Sequence, residues 1–167
     1  MIYIFYGTGG GKTLAALGLA LRARGHNRRV AIIQFMKNFK DAGEFKIAKK
    51  IGYKIFQFGR PEFIDINCPE PEDYDLALSG FEKAKEELKK RPHLLVLDEL
   101  CLACAIGLLK EKVVLSFLRK IPKSTDVALT GRFAPESFLR IADGVSEIVK
   151  IKHVFDKGIK AKKGIEF

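Results

Sequence analysis

Tryptophan is absent from the 167 residues, methionine occurs twice and cysteine three times. An odd number of cysteines with no secretory segment ahead of them argues against a disulfide framework. Cys101 and Cys104 have CxxC spacing, but no second pair exists and Cys68 is distant in sequence. The pair therefore reads as two small apolar side chains at the start of a helix rather than half of a zinc site. No run is long and apolar enough to span a bilayer. Met1 leads straight into the first apolar stretch and leaves no room for a signal segment, so a cytoplasmic location is expected. The chain also lacks internal repeats, low-complexity tracts and any Ser/His/Asp or Cys/His set that would put a base beside a nucleophile. Acidic residues are in the minority, 20 against 30 Lys and Arg, for a net charge of +10. That balance attracts polyanions, but aromatic side chains are not interleaved with the basic ones as a nucleic-acid groove requires. A Lys- and Glu-rich surface plus a triphosphate site accounts for it better.

What is present is a chain 47% hydrophobic and 30% charged, the balance of a folded soluble protein. Its length suits one nucleotide-binding domain over residues 1–167, burying about 70% of its unfolded surface. The chain is organised around its beginning. Ile2 to Tyr6 has the β-branched and aromatic character of a buried strand, and it breaks into Gly7-Thr8-Gly9-Gly10-Gly11-Lys12-Thr13. Leu14 to Arg24 then reads as a helix with Leu14, Leu17 and Leu21 on one face. A strand, a glycine-rich turn and a helix opening at Lys-Thr form the setting of a phosphate loop. The glycines let successive N–H groups converge, the helix N-terminus adds its dipole, Lys12 adds a full charge, and the Thr13 hydroxyl can ligate Mg²⁺. The general pattern places the first glycine where this chain has Tyr6; Gly7 takes its part, so the loop is one residue tighter.

Further strands are expected at Arg29–Gln34, Tyr53–Phe58, His93–Leu97, Asp126–Thr130 and Val145–Ile151. Between them, helices are expected at Phe45–Ile51, Glu72–Lys90 (buried stripe Ala77, Phe81, Ala84, Leu88), from Leu100 onward, Val113–Leu118 and Pro135–Ile141. Gly59 to Pro71 is irregular and carries Pro61, Pro69 and Pro71 around Phe63 and Ile64. A segment of that kind inside a compact domain is more often functional than spare. Alternating strands and helices with apolar strands predict an α/β fold, a doubly wound, mostly parallel sheet of the P-loop NTPase (RecA-like) type. Ligands of such sheets bind beyond the carboxyl ends of the strands. Asp98-Glu99 stands there, where a Mg²⁺–triphosphate site needs carboxylates opposite Thr13, and so does Arg132, an anion contact.

These residues resemble one family, the corrinoid adenosyltransferases that act on cob(I)alamin with ATP. The loop is similar to the family's GNGKGKT, and Leu21-Arg22-Ala23 with Gly25-His26 to its ALRAxGHG. Gln34-Phe35-Met36-Lys37 with Gly43-Glu44 resembles QFxKG…GE, Leu97-Asp98-Glu99-Leu100 resembles LDEL, and Thr130-Gly131-Arg132 resembles TGR. The tail from Lys152 to Phe167 resembles KHAFDxGIKAxxGIEY. The matches keep their order over nearly the whole chain. The resemblance implies transfer of the 5′-deoxyadenosyl group of ATP to Co(I) of cob(I)alamin or a precursor corrinoid, with release of triphosphate. Co(I) is itself a strong nucleophile, so the protein has mainly to position two substrates and stabilise the leaving group. ATP contacts are implied at Gly7, Thr8, Gly9, Gly10, Gly11, Lys12, Thr13, Leu14, Arg22, Arg132 and His153, with Lys12 and Glu99 as catalytic residues. The resemblance further implies Mg²⁺ (or Mn²⁺) at Thr13 and Glu99, a reversed ATP that suits the tighter loop, a homodimer and a flavodoxin-type reductant. Gly10 stands where the family has Lys. Enterobacterial members use a Phe and a Trp, in the segment matching Gly59–Asn67, to displace the lower corrinoid ligand. Phe63 matches the Phe and is the expected corrinoid contact, while Asp65 falls near the Trp. An N-terminal extension that covers the site in some members has no counterpart here. A RecA-like ATPase acting on nucleic acid and a regulatory nucleotide-binding module stand as alternatives. Corrinoid-dependent release of triphosphate, rather than phosphate, separates the first reading from both.

Overall fold

The computed structural model describes residues 1–158 and 160–165, leaving aside the side chains of Phe155 and Lys157. Of the tail motif, Ile159, Glu166 and Phe167 lie outside the described residues. The elements run β1 (Ile2–Tyr6), α1 (Lys12–Gly25), β2 (Val30–Phe35), α2 (Gly43–Ile51), β3 (Lys54–Phe58), α3 (Pro71–Lys89) and β4 (Leu94–Asp98). They continue with α4 (Leu100–Ala105), α5 (Glu111–Leu118), β5 (Asp126–Gly131), α6 (Glu136–Leu139), β6 (Gly144–Glu147) and a 3-10 turn over Val154–Lys157. The strands form one sheet in the order β3-β2-β4-β5-β1-β6, and every pairing is parallel.

Both faces of this sheet are covered, which is why its central strands are apolar along most of their length and polar only toward their ends, at Gln34, Asp98, Asp126 and Thr130. Val30, Ile32, Leu94, Val96 and Ala128 point toward Ala16 and Ala20 of α1 and Ala48 of α2. Ala31, Ile33, Phe35, Leu95, Leu97, Val127 and Leu129 point the other way, toward α3, α4, α5 and α6. Register brings the functional ends together: Gln34 lies opposite Asp98, Leu97 opposite Leu129, and Tyr6 opposite Gly131. The phosphate loop, Gln34, Asp98 and Thr130 therefore share the carboxyl edge of the sheet.

Two expectations are corrected. Leu14 and Leu21 are exposed, and α1 buries Ala16 and Ala20 instead. Small side chains let the helix sit close on the sheet, with Leu17 and Leu19 packed at the edge of the contact and Leu14 and Leu21 turned outward. The last strand is shorter than expected, four residues with only Gly144 not exposed. Its continuation is taken up by the loop described below. Cys101 and Cys104 are free thiols in the apolar core, and burial pushes both up, Cys104 to about 12. No helix among the described residues is long and apolar enough to cross a membrane.

Candidate active site

The phosphate loop is braced by the chain that leaves β6. Ile148 donates its N–H to the Tyr6 carbonyl at 2.7 Å, and its own carbonyl accepts from Gly9 N–H at 2.7 Å. The approach leaves no room at Gly7, where φ is +116° and a Cβ would sit 2.5 Å from the Ile148 oxygen. Gly11 caps α1 in the left-handed region, and the Lys12 ammonium turns back to donate to the Gly9 carbonyl at 2.7 Å. Burial lowers the Lys12 pKa, a pull that Glu99 opposes and Arg132 and Lys37 reinforce. The His153 imidazole lies over Gly10, its Nε2 3.4 Å from where a Cβ would be.

Behind the loop stands Asp98, fully buried and hydrogen-bonded at all its positions. Its Oδ1 accepts from Thr130 Oγ1 at 2.6 Å and Thr13 Oγ1 at 3.0 Å. Its Oδ2 accepts from Lys37 Nζ at 2.7 Å and Gln34 Nε2 at 3.0 Å. Gln34 is held in turn by Gln57, whose Nε2 donates to Gln34 Oε1 at 2.9 Å. Burial alone would raise the Asp98 pKa, but Lys37, Thr130 and Gln34 outweigh it and hold the carboxyl below its ordinary value. Burial pulls Lys37 down while Asp98 pulls it up, and Asp98 prevails. Lys37 reaches this position because Met36 turns through φ 54° at the end of β2, where its N–H donates to the Phe58 carbonyl at 2.7 Å. Gly59 permits that crossing: a Cβ there would meet Lys37 N at 2.3 Å.

Glu99 is the opposite case. It caps α4 with φ 63°, and its N–H donates to Thr130 Oγ1 at 2.8 Å. Its Oε2 is buried with no hydrogen-bond partner. Burial first, and Asp98 second, push the Glu99 pKa up. A buried carboxyl oxygen without a partner, near Lys12, Lys37 and Arg132, has the chemistry to take a cation or a donor from a ligand. Among the described residues no group of three or more His, Cys, Asp or Glu gathers to hold a metal. A divalent ion at Thr13 and Glu99 would thus need oxygens from the nucleotide.

An apolar cavity of about 370 Å³ adjoins this cluster, lined among others by Met36, Lys37, Phe39, Pro61 and Phe63. The Gly59–Pro71 segment forms its outer wall. Arg60 anchors that wall to the start of α3, with Nε on Asp73 at 2.9 Å and a second contact to Glu70 at 3.0 Å. Phe63 beyond it is 87% exposed, its ring centroid 5.9 Å from that of Phe39.

The structure thus gathers the loop, Thr13, Glu99 and His153 at one edge, with Arg132 close enough to Lys12 and Glu99 to shift both. Leu14 is exposed at the start of α1. Arg22 is not brought to this edge. Ten residues of helix after Lys12 carry it about 15 Å along the axis, and it lines a different cavity with Tyr3, His26, His93 and Asp126. Lys37, Gln34, Thr130 and Phe39 were not singled out by sequence reasoning. Gln34 and Lys37 carried a signal as members of the QFMK motif and Thr130 as the first residue of the TGR motif, each at a strand's end, whereas Phe39 carried none.

The family model described as ATP:corrinoid adenosyltransferase BtuR/CobO/CobP matches residues 1–167. A corrinoid adenosyltransferase of Escherichia coli K12 is 34% identical over 168 residues, covering all of this chain and 85% of that protein. One from a Sinorhizobium species is 34% identical over 171 residues, covering all of this chain and 80% of that protein. One from Pseudomonas aeruginosa is 32% identical over 173 residues, covering all of this chain and 83% of that protein.

Proposed function

The chain belongs to the ATP:corrinoid adenosyltransferase family, and from that premise we propose that it adenosylates a reduced corrinoid at the carboxyl edge of its sheet. The Co(I) electron pair attacks C5′ of ATP, the C5′–O5′ bond breaks with its electrons passing to the triphosphate, and a cobalt–carbon bond forms as the metal becomes Co(III). The protein's task is placement and charge stabilisation. Loop N–H groups and Lys12 hold the triphosphate, Arg132 and His153 flank it, and Leu14 touches the nucleotide where α1 begins. Arg22 is proposed as an ATP contact on the family pattern alone. Thr13 and Glu99 would hold a Mg²⁺ or Mn²⁺ ion, which supplies charge neutralisation to the leaving triphosphate. The unsatisfied Glu99 oxygen supports this choice over Asp98, which already accepts four hydrogen bonds.

The observation that carries the reading is the adjacency of the phosphate loop to the apolar cavity, two compartments of different chemistry that share Lys37. Phe63, paired with Phe39, would press on the corrinoid's lower face and exclude water there. A homodimer, a cytoplasmic setting and a flavodoxin-type electron donor belong to the same proposal. Exposed Leu14 and Leu21 support the first, and the +10 charge favours an anionic donor. No observation favours the nucleic-acid ATPase.

The test is an anaerobic assay with chemically reduced cobalamin and ATP, following cobalt–carbon absorbance and identifying the phosphate product. Triphosphate is expected, and Lys12→Ala should abolish turnover while leaving the unfolding free energy within about 1 kcal/mol of the parent. Orthophosphate released without corrinoid would overturn the assignment.

A further inference from the structure

Lys37 is the only full charge among the four donors that surround Asp98, and it also donates to Thr13 Oγ1 at 3.0 Å. The Thr13 hydroxyl gives its single proton to Asp98 and accepts from Lys37 through one lone pair, so one lone pair remains for another partner. An ion bound there at the usual Mg²⁺–oxygen distance of about 2.1 Å lies within about 5 Å of the ammonium. Lys37 there cancels the attraction that Asp98, equally close to Thr13, would exert on a divalent ion, and among the described residues no cluster of three or more acidic, His or Cys side chains makes up for it. We propose that Lys37 is a positioning residue that keeps the divalent ion out of the nucleotide-free site and admits it only together with the triphosphate. The lysine sets the Thr13 hydroxyl and neutralises Asp98, while the four negative charges of ATP supply what the protein withholds. Metal would then not precede nucleotide. This rests on the reading that the ion sits at Thr13 and Glu99.

Mn²⁺ binding followed by electron paramagnetic resonance on the full chain tests it. Without nucleotide, Lys37→Met should bind Mn²⁺ at least roughly tenfold more tightly than the parent. Lys37→Arg should bind like the parent, and ATP should narrow the difference. Lys37→Gln, which keeps a donor to Asp98, replaces the Met variant if circular dichroism shows the latter unfolded. The gain should vanish when Glu99→Gln is added. Equal nucleotide-free affinity in the Lys37→Met or Lys37→Gln variant and the parent would overturn the proposal. So would a gain that survives Glu99→Gln, since the ion would then have gone to the bared Asp98. If Glu99→Gln alone leaves Mn²⁺–ATP binding unchanged, the metal-site reading fails, and the proposal falls with it.

Discussion

Thr130 ties the two acidic residues together, and Thr130→Val removes that tie with almost no change of shape. The side chain is fully buried, donates to Asp98 Oδ1 at 2.6 Å and accepts the Glu99 N–H at 2.8 Å. Losing a hydrogen bond to a charged group costs about 1.5–3 kcal/mol, and stranding a buried N–H about 1–3 kcal/mol. Together these give about 2–5 kcal/mol, because the two losses share one group and do not add fully. At roughly 2–4 °C per kcal/mol for a chain of this size, the melting temperature should fall by about 4–20 °C. The same contact holds Glu99 in its left-handed conformation at φ 63°, so turnover should drop even where the protein is still folded. Denaturant unfolding and single-turnover adenosylation, run below the new transition, measure the two effects. Thr130→Ser keeps the hydroxyl and should lose only about 1 kcal/mol and little activity. A loss below 1 kcal/mol in the Val variant with turnover intact would refute the argument that this hydroxyl organises the carboxylates.

Glu99→Gln should stabilise the protein at neutral pH while impairing catalysis. A raised carboxyl pKa makes the ionised form a burden that is present above the raised pKa and gone below the ordinary one. The melting-temperature gain should therefore shrink on acidification, and a gain that grows would contradict the assignment. Phe63→Ala should change stability by less than about 0.5 kcal/mol, because the ring is 87% exposed. It should lose activity with Co(II) substrate and a weak reductant yet keep it with prereduced Co(I), and equal losses would show the ring is no wedge. Gly10→Ala should be tolerated, the nearest atom being His153 Nε2 at 3.4 Å, whereas Gly7→Ala should abolish nucleotide binding as measured by calorimetry.

Much of the fold was legible because the central strands are buried on both faces and so read as continuous apolar runs. Helix faces were harder. Leu14, Leu17 and Leu21 made a convincing stripe, but closeness of packing favoured Ala16 and Ala20, with Leu17 alone of the three leucines against the core. Of the site, the loop and Asp98-Glu99 were visible because charge and glycine at strand ends are chemically conspicuous. Their different roles were not, since these depend on which carboxylate Thr130, Gln34 and Lys37 reach. Thr130 and Gln34 are neutral, and only their places in the parallel register put them beside Asp98. Phe63 was legible as an apolar residue in an irregular segment, but Phe39 was not, since its partnership arises from chain crossing at Gly59.

The position of β1 has a consequence for how the chain is made. Its neighbours in the sheet are β5 and β6, with Ile2 opposite Val127 and Tyr6 opposite Glu147, and the loop that follows is braced by Ile148. β1 is thus made well before both of its partners and is among the last strands to find its place. Until β6 has emerged, the glycine loop has no wall to lean on. Nucleotide is therefore expected to stabilise only a chain that has folded through β6, and cutting the chain before Gly144 should silence the loop that follows β1.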